Sequence, residues 1–487
     1  MYPQYHQMTL EEYEFPFGKL DPENEWVKLA ALVPWDVAEE AYAKRFVNNG
    51  HPAHPVRIAL GALIIKQRLK CSDEWVVRHV SENPYLQFFI GLRSYTSKCP
   101  FGASTMVEFR KRFPPETIAE LLAASVPTKE KDDHDDPNDD HEGGSGLDHD
   151  STEDPAEAPE NSGTLLMDAT CCPADVAFPQ DFQLLNDARE HLEQMVDALC
   201  TENGLKRPRM KRRCARRDFL NLSKSKKRSV KKIRTGVRQQ LQYIRRDLGF
   251  IVDILQKHGL KVTKKQASLL NTITTLYEQQ LYMYEHHTHS IEDRIVSLSQ
   301  PWIRPIVRGK THANTEFGAK LHISMVDWYA KIERLSFDAF NEATDFYAAV
   351  EGYRKDHGFY PARVLADKIY RNREILSWCK ERKIQMTGPA LGRPPKNQEK
   401  KRELRKQEYQ DICDRNIVEG EFGVGKRSYG LNRIMAHLPE TSFCVIGIAL
   451  LCMNLAKRLR SLLRHFFVMC FAPINWKPKP NFQMVAE

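Results

Sequence analysis

Apolar residues change their spacing along the chain, and the changes divide it into regions. Over residues 1–127 the spacing is helical. HPVRIALGALIIKQRLK sets Val56, Leu60, Leu63 and Ile64 on one face. SDEWVVRHVSENP follows, with Ser72 a candidate N-cap and Pro84 marking the next break. PYLQFFIGL makes a third short element. In STMVEFRKRF, Thr105 stands three residues before Glu108, the spacing of a capping box. Short helices joined by tight turns predict an all-helical N-terminal domain over 1–127. A helix-turn-helix-like module and a generic bundle fit this spacing equally well.

Residues 128–163 have almost no large apolar side chains. KEKDDHDDPNDDHEGGSGLDHDSTEDPAEAPENSG is acidic and rich in Gly, Ser and Pro. It has too little to bury to offset the entropy lost on ordering, so it predicts a disordered linker. Strand-like spacing begins beyond it. TLLMDATCCPADV opens on an apolar run and reads as a buried strand. A helical region over about 181–300 comes next. GAKLHISMV then alternates Leu321, Ile323 and Met325 with Lys320, His322 and Ser324, as a half-buried strand does, and YAKIERLSF is its hairpin partner. NEATDFYAAVEGYRKDHG predicts a helix, ARVLADK a short strand ending at Asp367, NREILSWCKERK a helix capped by Asn372, and KIQMTGP a strand. The tail from about 411 to 470 is mostly helical. The predicted class is α/β, a mixed sheet with a helical insertion after its first strand. Its domain would run over 164–475.

Charge sharpens this outline. The 487-residue chain has a formal net charge of +8, unevenly spread. Lys129–Gly163 holds 14 acids against 2 lysines, whereas Lys206–Arg246 holds 18 Lys/Arg against a single acid, Asp218. Segregation on this scale points to a polyanionic partner, of which nucleic acid is the common one. Within the block, Arg212, Arg213, Lys226, Lys227, Arg228, Lys231 and Lys232 are the candidate DNA contacts. The 11 cysteines include no C-x-x-C pair, which predicts a reduced, cytoplasmic protein. The N-terminus lacks the marks of a signal peptide. The most apolar run, Phe443–Ala456, is too short to span a bilayer comfortably and reads as a buried helix. No membrane association is expected.

Two acids stand at strand ends. Asp168 follows Leu165, Leu166 and Met167, and Asp367 closes the strand before it. A carboxylate there is costly unless solvated, paired or bound to a cation. Two on neighbouring strands repel each other, which a shared divalent metal relieves. In DICDRNIVEGEFGVGKRSYGLNRI, Arg415, Glu419, Phe422 and Lys426 follow helical spacing. Glu421 points elsewhere, so Glu419 is the third candidate, with Arg415 and Lys426 suited to phosphate. Gly420, Gly423 and Gly425 each disfavour this helix by about 1 kcal/mol.

Several of these segments together resemble bacterial insertion-sequence transposases of the DDE type, in the broad group of insertion sequences four and five. The resemblance lies in HPVRIALGALIIKQRLKCSDEWVVRHVSENPYLQFFIGL, LLMDATCCPADVAFPQDFQLLNDARE, RPIVRGKTHANTEFGAKLHIS, VLADKIYRNREI and RNIVEGEFGVGKRSYGLNRIMA. The family spacing Tyr, two residues, Arg, three residues, Glu, six residues, Lys is met by Arg415, Glu419 and Lys426. Ile412 stands at the Tyr position, and Ile369 stands where such proteins often have Gly.

The resemblance implies a ribonuclease H-like catalytic fold with two divalent metals, normally Mg2+ with Mn2+ able to substitute, held by Asp168, Asp367 and Glu419. It implies terminal inverted repeats and target DNA as double-stranded partners, and a homodimer in the synaptic complex. The alternatives are a transposase-derived DNA-binding protein without catalytic activity and a structure-specific nuclease on the same fold.

Overall fold

The computed structural model describes residues 10–12, 14, 18–46, 52–127, 160–307, 315–387 and 398–471. The acidic stretch expected as a linker lies outside them as far as residue 159, as do Arg308 and Lys310, two basic residues before the expected hairpin.

Among the described residues, seven helices precede the sheet: α1 (Glu25–Leu32), α2 (Trp35–Ala43), α3 (Val56–Leu69), α4 (Asp73–Glu82), α5 (Pro84–Phe89), α6 (Thr105–Lys111) and α7 (Pro115–Ala124). Ser72 caps α4 as expected, accepting a hydrogen bond from the Trp75 amide at 3.3 Å. The capping box at Thr105 and Glu108 does not form. Ser104 is already helical (φ −62°, ψ −32°), so Thr105 lies inside the first turn, where its side chain cannot act as an N-cap. Ten consecutive residues of α3, Val56–Ile65, are buried. A helix buried all round is the centre of its bundle rather than a facing.

The sheet begins with β1 (Thr164–Pro173). The insertion follows as α8 (Asp181–Glu202), α9 (Arg212–Ser223), α10 (Val230–His258) and α11 (Lys264–Glu285). It is helical only to Glu285, short of the expected 300, and it has its own core, including Leu185, Leu192, Leu241, Ile244 and Leu276. Next come β2 (Arg304–Val307), β3 (Thr315–Val326), β4 (Tyr329–Ser336), α12 (Phe346–His357), β5 (Arg363–Leu365), α13 (Arg373–Glu381) and β6 (Gln385–Met386). Two long helices end the described chain, α14 (Gln398–Ser428) and α15 (Pro439–Phe471).

β3 pairs antiparallel with β1 on one edge and with β2 and β4 on the other, while β1, β5 and β6 run parallel. Parallel neighbours need crossover connections, and α13 supplies the one between β5 and β6. Leu166, Leu321, Ile323, Met325 and Leu365 face a core shared with α14, α15 and the N-terminal helices. Leu165, Met167, Val364 and Ala366 face α12 and α13. Both sides of the sheet are therefore covered. This corrects the half-buried reading of β3, whose His322 and Ser324 are 0% and 3% exposed. Their burial is offset by partners: His322 sits between Asp345 and Tyr370, and the Ser324 hydroxyl donates to Glu333.

The apolar run of α15 is longer than its sequence core suggests. Pro439–Leu462 has the length and composition to cross a membrane, yet most of it is buried, against α3, α6 and α7 among others.

Candidate active site

Asp168 and Asp367 are brought together by strand register. β1 and β5 pair in parallel with Leu166 opposite Leu365, and two more residues along each chain reach Asp168 and Asp367. In the pleat, a residue two positions on returns to the same face. Both acids therefore follow the leucines toward the side covered by α14. Asp367 lies just past the hydrogen-bonded strand. It caps a 3-10 turn, Lys368–Tyr370, by accepting from the Lys368 amide at 2.7 Å.

The two carboxylates differ in surroundings. Asp168 is half-buried, and burial pushes its pKa up to about 6, with the Glu342 and Asp367 charges adding to the rise. The Ala169 amide, which donates to it at 2.8 Å, and Arg415 pull the other way. Asp367 has a side chain 53% exposed.

α14 runs unbroken through Gly420, Gly423 and Gly425. Val418 and Phe422 anchor it in the core, and Glu419 projects from it, 60% exposed. Arg415 stands between the acids: Nη1 donates to Asp367 Oδ1 at 3.0 Å, and Nη2 lies 3.8 Å from Glu419 Oε1. Its Nε is buried without a hydrogen-bond partner among the described residues. Glu421, the other acid in this turn, pairs with Lys457 at 2.9 Å. Lys426 is half-buried and close enough to Cys171, three residues beyond Asp168, to act on it electrostatically.

Among the described residues, no three His, Cys, Asp or Glu side chains converge closely enough to hold a metal ion. The Arg415 guanidinium stands between two of the candidate acids, Asp367 and Glu419. The donor set still suits a hard divalent cation, since all three candidates are carboxylates and Asp168 is short of positive charge. His286, His287 and His289 show no such set: His286 stacks on Tyr282, and His287 Nδ1 lies 2.7 Å from Arg234 Nη1.

The structure adds a polar group behind β1 and β3 that sequence reading missed. Tyr370, fully buried, has its hydroxyl 2.8 Å from His322 Nε2, and His322 Nδ1 lies 3.2 Å from Asp345 Oδ2. Glu342, paired with Lys320 at 2.8 Å, is close enough to raise Asp168. The one available signal was a histidine alternating with apolar residues in β3, which strand alternation alone assigns to solvent.

The basic block divides in two. Arg212 is held by Asp197 at 2.6 Å and lies 3.6 Å from Glu193, within the insertion. Arg228 lies over the Phe182 ring and donates to Gln180 and to the Ser223 carbonyl. Arg213, Lys226, Lys227, Lys231 and Lys232 are exposed, with Lys232 Nζ donating to Ser225 Oγ at 2.8 Å.

Two family matches bear on this geometry. Residues 364–456 match the family described as Transposase DDE domain, a span that holds Asp367, Arg415, Glu419 and Lys426. Residues 16–112 match the Transposase domain (DUF772) family, which covers most of the N-terminal helices. The chain is also 39% identical over 107 residues to an uncharacterized protein, ORF8 in the nfe locus of Rhizobium meliloti, covering 22% of this chain and 52% of that protein. The chain thus spans about half the length of this curated relative. No solved structure matches it. Both families are transposase domains, consistent with a DDE-type insertion-sequence transposase.

Proposed function

We infer that this chain, with transposase domains toward both of its ends, is an insertion-sequence transposase that cuts and joins DNA at Asp168, Asp367 and Glu419. The observation that carries this reading is the register of β1 and β5, which sets the two aspartates side by side beneath the helix bearing Glu419. The strand order supports a ribonuclease H-like fold: antiparallel strands on one side of β1, parallel strands on the other, and a helical insertion after β1. In this reading residues 1–127 recognise the terminal inverted repeats, 128–163 link, and 164–475 perform the chemistry on double-stranded DNA in the cytoplasm. Two ends must meet, so the synaptic complex is a homodimer.

Divalent ions, two Mg2+ or Mn2+ in their place, would supply when bound the activation of a water or 3′-hydroxyl and the stabilisation of the leaving oxygen. Asp168, Asp367 and Glu419 are the residues that would hold them, through carboxylate oxygen. Burial keeps Asp168 in one orientation, and the turn it caps fixes Asp367. Arg415 and Lys426 hold phosphate and limit the approach of the scissile strand. Arg415 also offsets the charge of Asp367 and Glu419.

The test is a plasmid bearing the element's terminal repeats, incubated with Mg2+ and the purified full chain. The wild type nicks at the repeats and joins 3′-ends to target DNA. Asp168→Asn, Asp367→Asn and Glu419→Gln each bring both products to background. Cleavage untouched in all three variants rejects the catalytic assignment, and nicking without joining assigns a nuclease instead.

A further inference from the structure

The basic residues of α10 separate by what holds them. Arg234 lies over the Tyr284 ring, and Arg246 pairs with the buried Asp247 at 3.0 Å. Lys231, Arg238 and Arg245 are exposed and have no ion-pair partner among the described residues. They are also collinear. Lys231, Thr235, Arg238, Gln242 and Arg245 recur at steps of four, three, four and three residues, all exposed. Such steps keep them on one line of a helix. Gly249, one turn further, is exposed with open space beside it. The opposite face of α10 is spent on the insertion core through Val237, Leu241, Ile244 and Ile251.

This line has no acid and no apolar side chain, so it is neither an ion-paired surface nor an interfacial membrane face. Its three cations are about 10.5 Å apart and span about 21 Å. Gln242 puts an uncharged donor in one gap, suited to phosphate and sugar oxygens, while the Thr235 hydroxyl donates to the Lys231 carbonyl at 2.9 Å and leaves the other gap small and uncharged. Sequence-independent single-strand grooves add aromatic side chains for base stacking, and this line has none.

We propose that this face of α10 is a phosphate track for duplex DNA, separate from the carboxylate site and indifferent to base sequence. Lys231, Arg238 and Arg245 contact phosphates, and Gln242 bridges between the two arginines. The track takes from the functional reading above only that DNA is the polymer.

The experiment measures binding of the full chain to a fluorescent 30-base-pair duplex of arbitrary sequence, without divalent metal, over a range of salt. Each phosphate contact contributes about 0.9 to the slope of log affinity against log salt, so Lys231→Ala with Arg238→Ala and Arg245→Ala lowers its magnitude by about 2–3. Lysines at 238 and 245 preserve the slope, which separates charge from folding. Lys331→Ala, at a lysine outside the insertion already paired with Asp356 at 3.0 Å, leaves the slope unchanged. An unaltered slope in the triple variant overturns the track. An equal loss on a single strand of the same length overturns the choice of duplex. Asp168→Asn keeps the wild-type slope, so a catalytic site that proves inactive leaves this result standing.

Discussion

Among individual residues, Arg415 has the most consequential position. Asp168 loses hydration by burial and gains two negative neighbours, and a carboxylate so placed calls for a cation. Arg415 is the cation in place, bonded to Asp367 and within ion-pair reach of Glu419. A divalent ion must therefore compete with a guanidinium already there. Arg415→Gln removes the competitor and leaves three carboxylates. The expected result is tighter Mn2+ binding to the DNA-free protein, on the order of tenfold, equivalent to about 1.4 kcal/mol, with weaker capture of cleaved DNA. Calorimetry or the Mn2+ resonance signal checks the first effect. Weaker Mn2+ binding in the variant would mean that Arg415 organises the acids rather than neutralising them. This role is not visible in sequence, because Arg415 and Asp367 lie 48 positions apart and meet only through α14 and β5. The pairing of Asp168 with Asp367 was legible, since both acids follow apolar runs that predict neighbouring strands. Glu342 was not, because its effect on Asp168 depends on how the segment before α12 packs.

Among elements, α14 shows what glycine can and cannot report. Three glycines near Glu419 predict a weakened helix, yet it runs continuously to Ser428. Gly425 has a packing reason: an added Cβ would lie 2.8 Å from Leu431 Cδ1 and 3.3 Å from Met453 Sδ. Gly420 has none, with nothing within 4 Å of that position. The two substitutions to alanine should therefore act in opposite directions. Gly420→Ala raises stability by up to about 1 kcal/mol through helix propensity. Gly425→Ala lowers it by about 1–3 kcal/mol through overpacking. Denaturant midpoints of the two variants check this, and equal shifts would contradict the close fit of α14 against α15. Local signals of this kind were readable where chemistry is local, as at the Ser72 and Asn372 caps. They failed where a distant element decides. Alternation in β3 names the two faces of a strand but not whether a second layer covers them, and α12 and α13 supply that layer.

In the whole molecule, α15 joins parts that sequence reading keeps in separate domains. α6 and α7 pack on it from the N-terminal side and β4 from the sheet side. A single buried side chain ties them together. Asn454 is 0% exposed; its amide donates to Ser125 Oγ at 3.1 Å and to the Ala330 carbonyl at 3.0 Å, while its oxygen accepts from the Ala330 amide at 3.0 Å. Close packing continues away from it: an added Cβ at Gly447 would meet Ile118 Cγ2 at 2.3 Å. The N-terminal helices and the sheet should accordingly unfold together. Asn454→Ala leaves both backbone groups of Ala330 without this partner, at about 1–3 kcal/mol for each group left unsatisfied, while the Ser125 hydroxyl keeps its bond to the Leu122 carbonyl. The expected outcome is a marked fall in melting temperature, with hydrogen exchange of α3 and of β3 accelerated in parallel. Faster exchange in α3 alone, with β3 still protected, would show the N-terminal helices to be an independent unit and α15 a tether rather than a shared core.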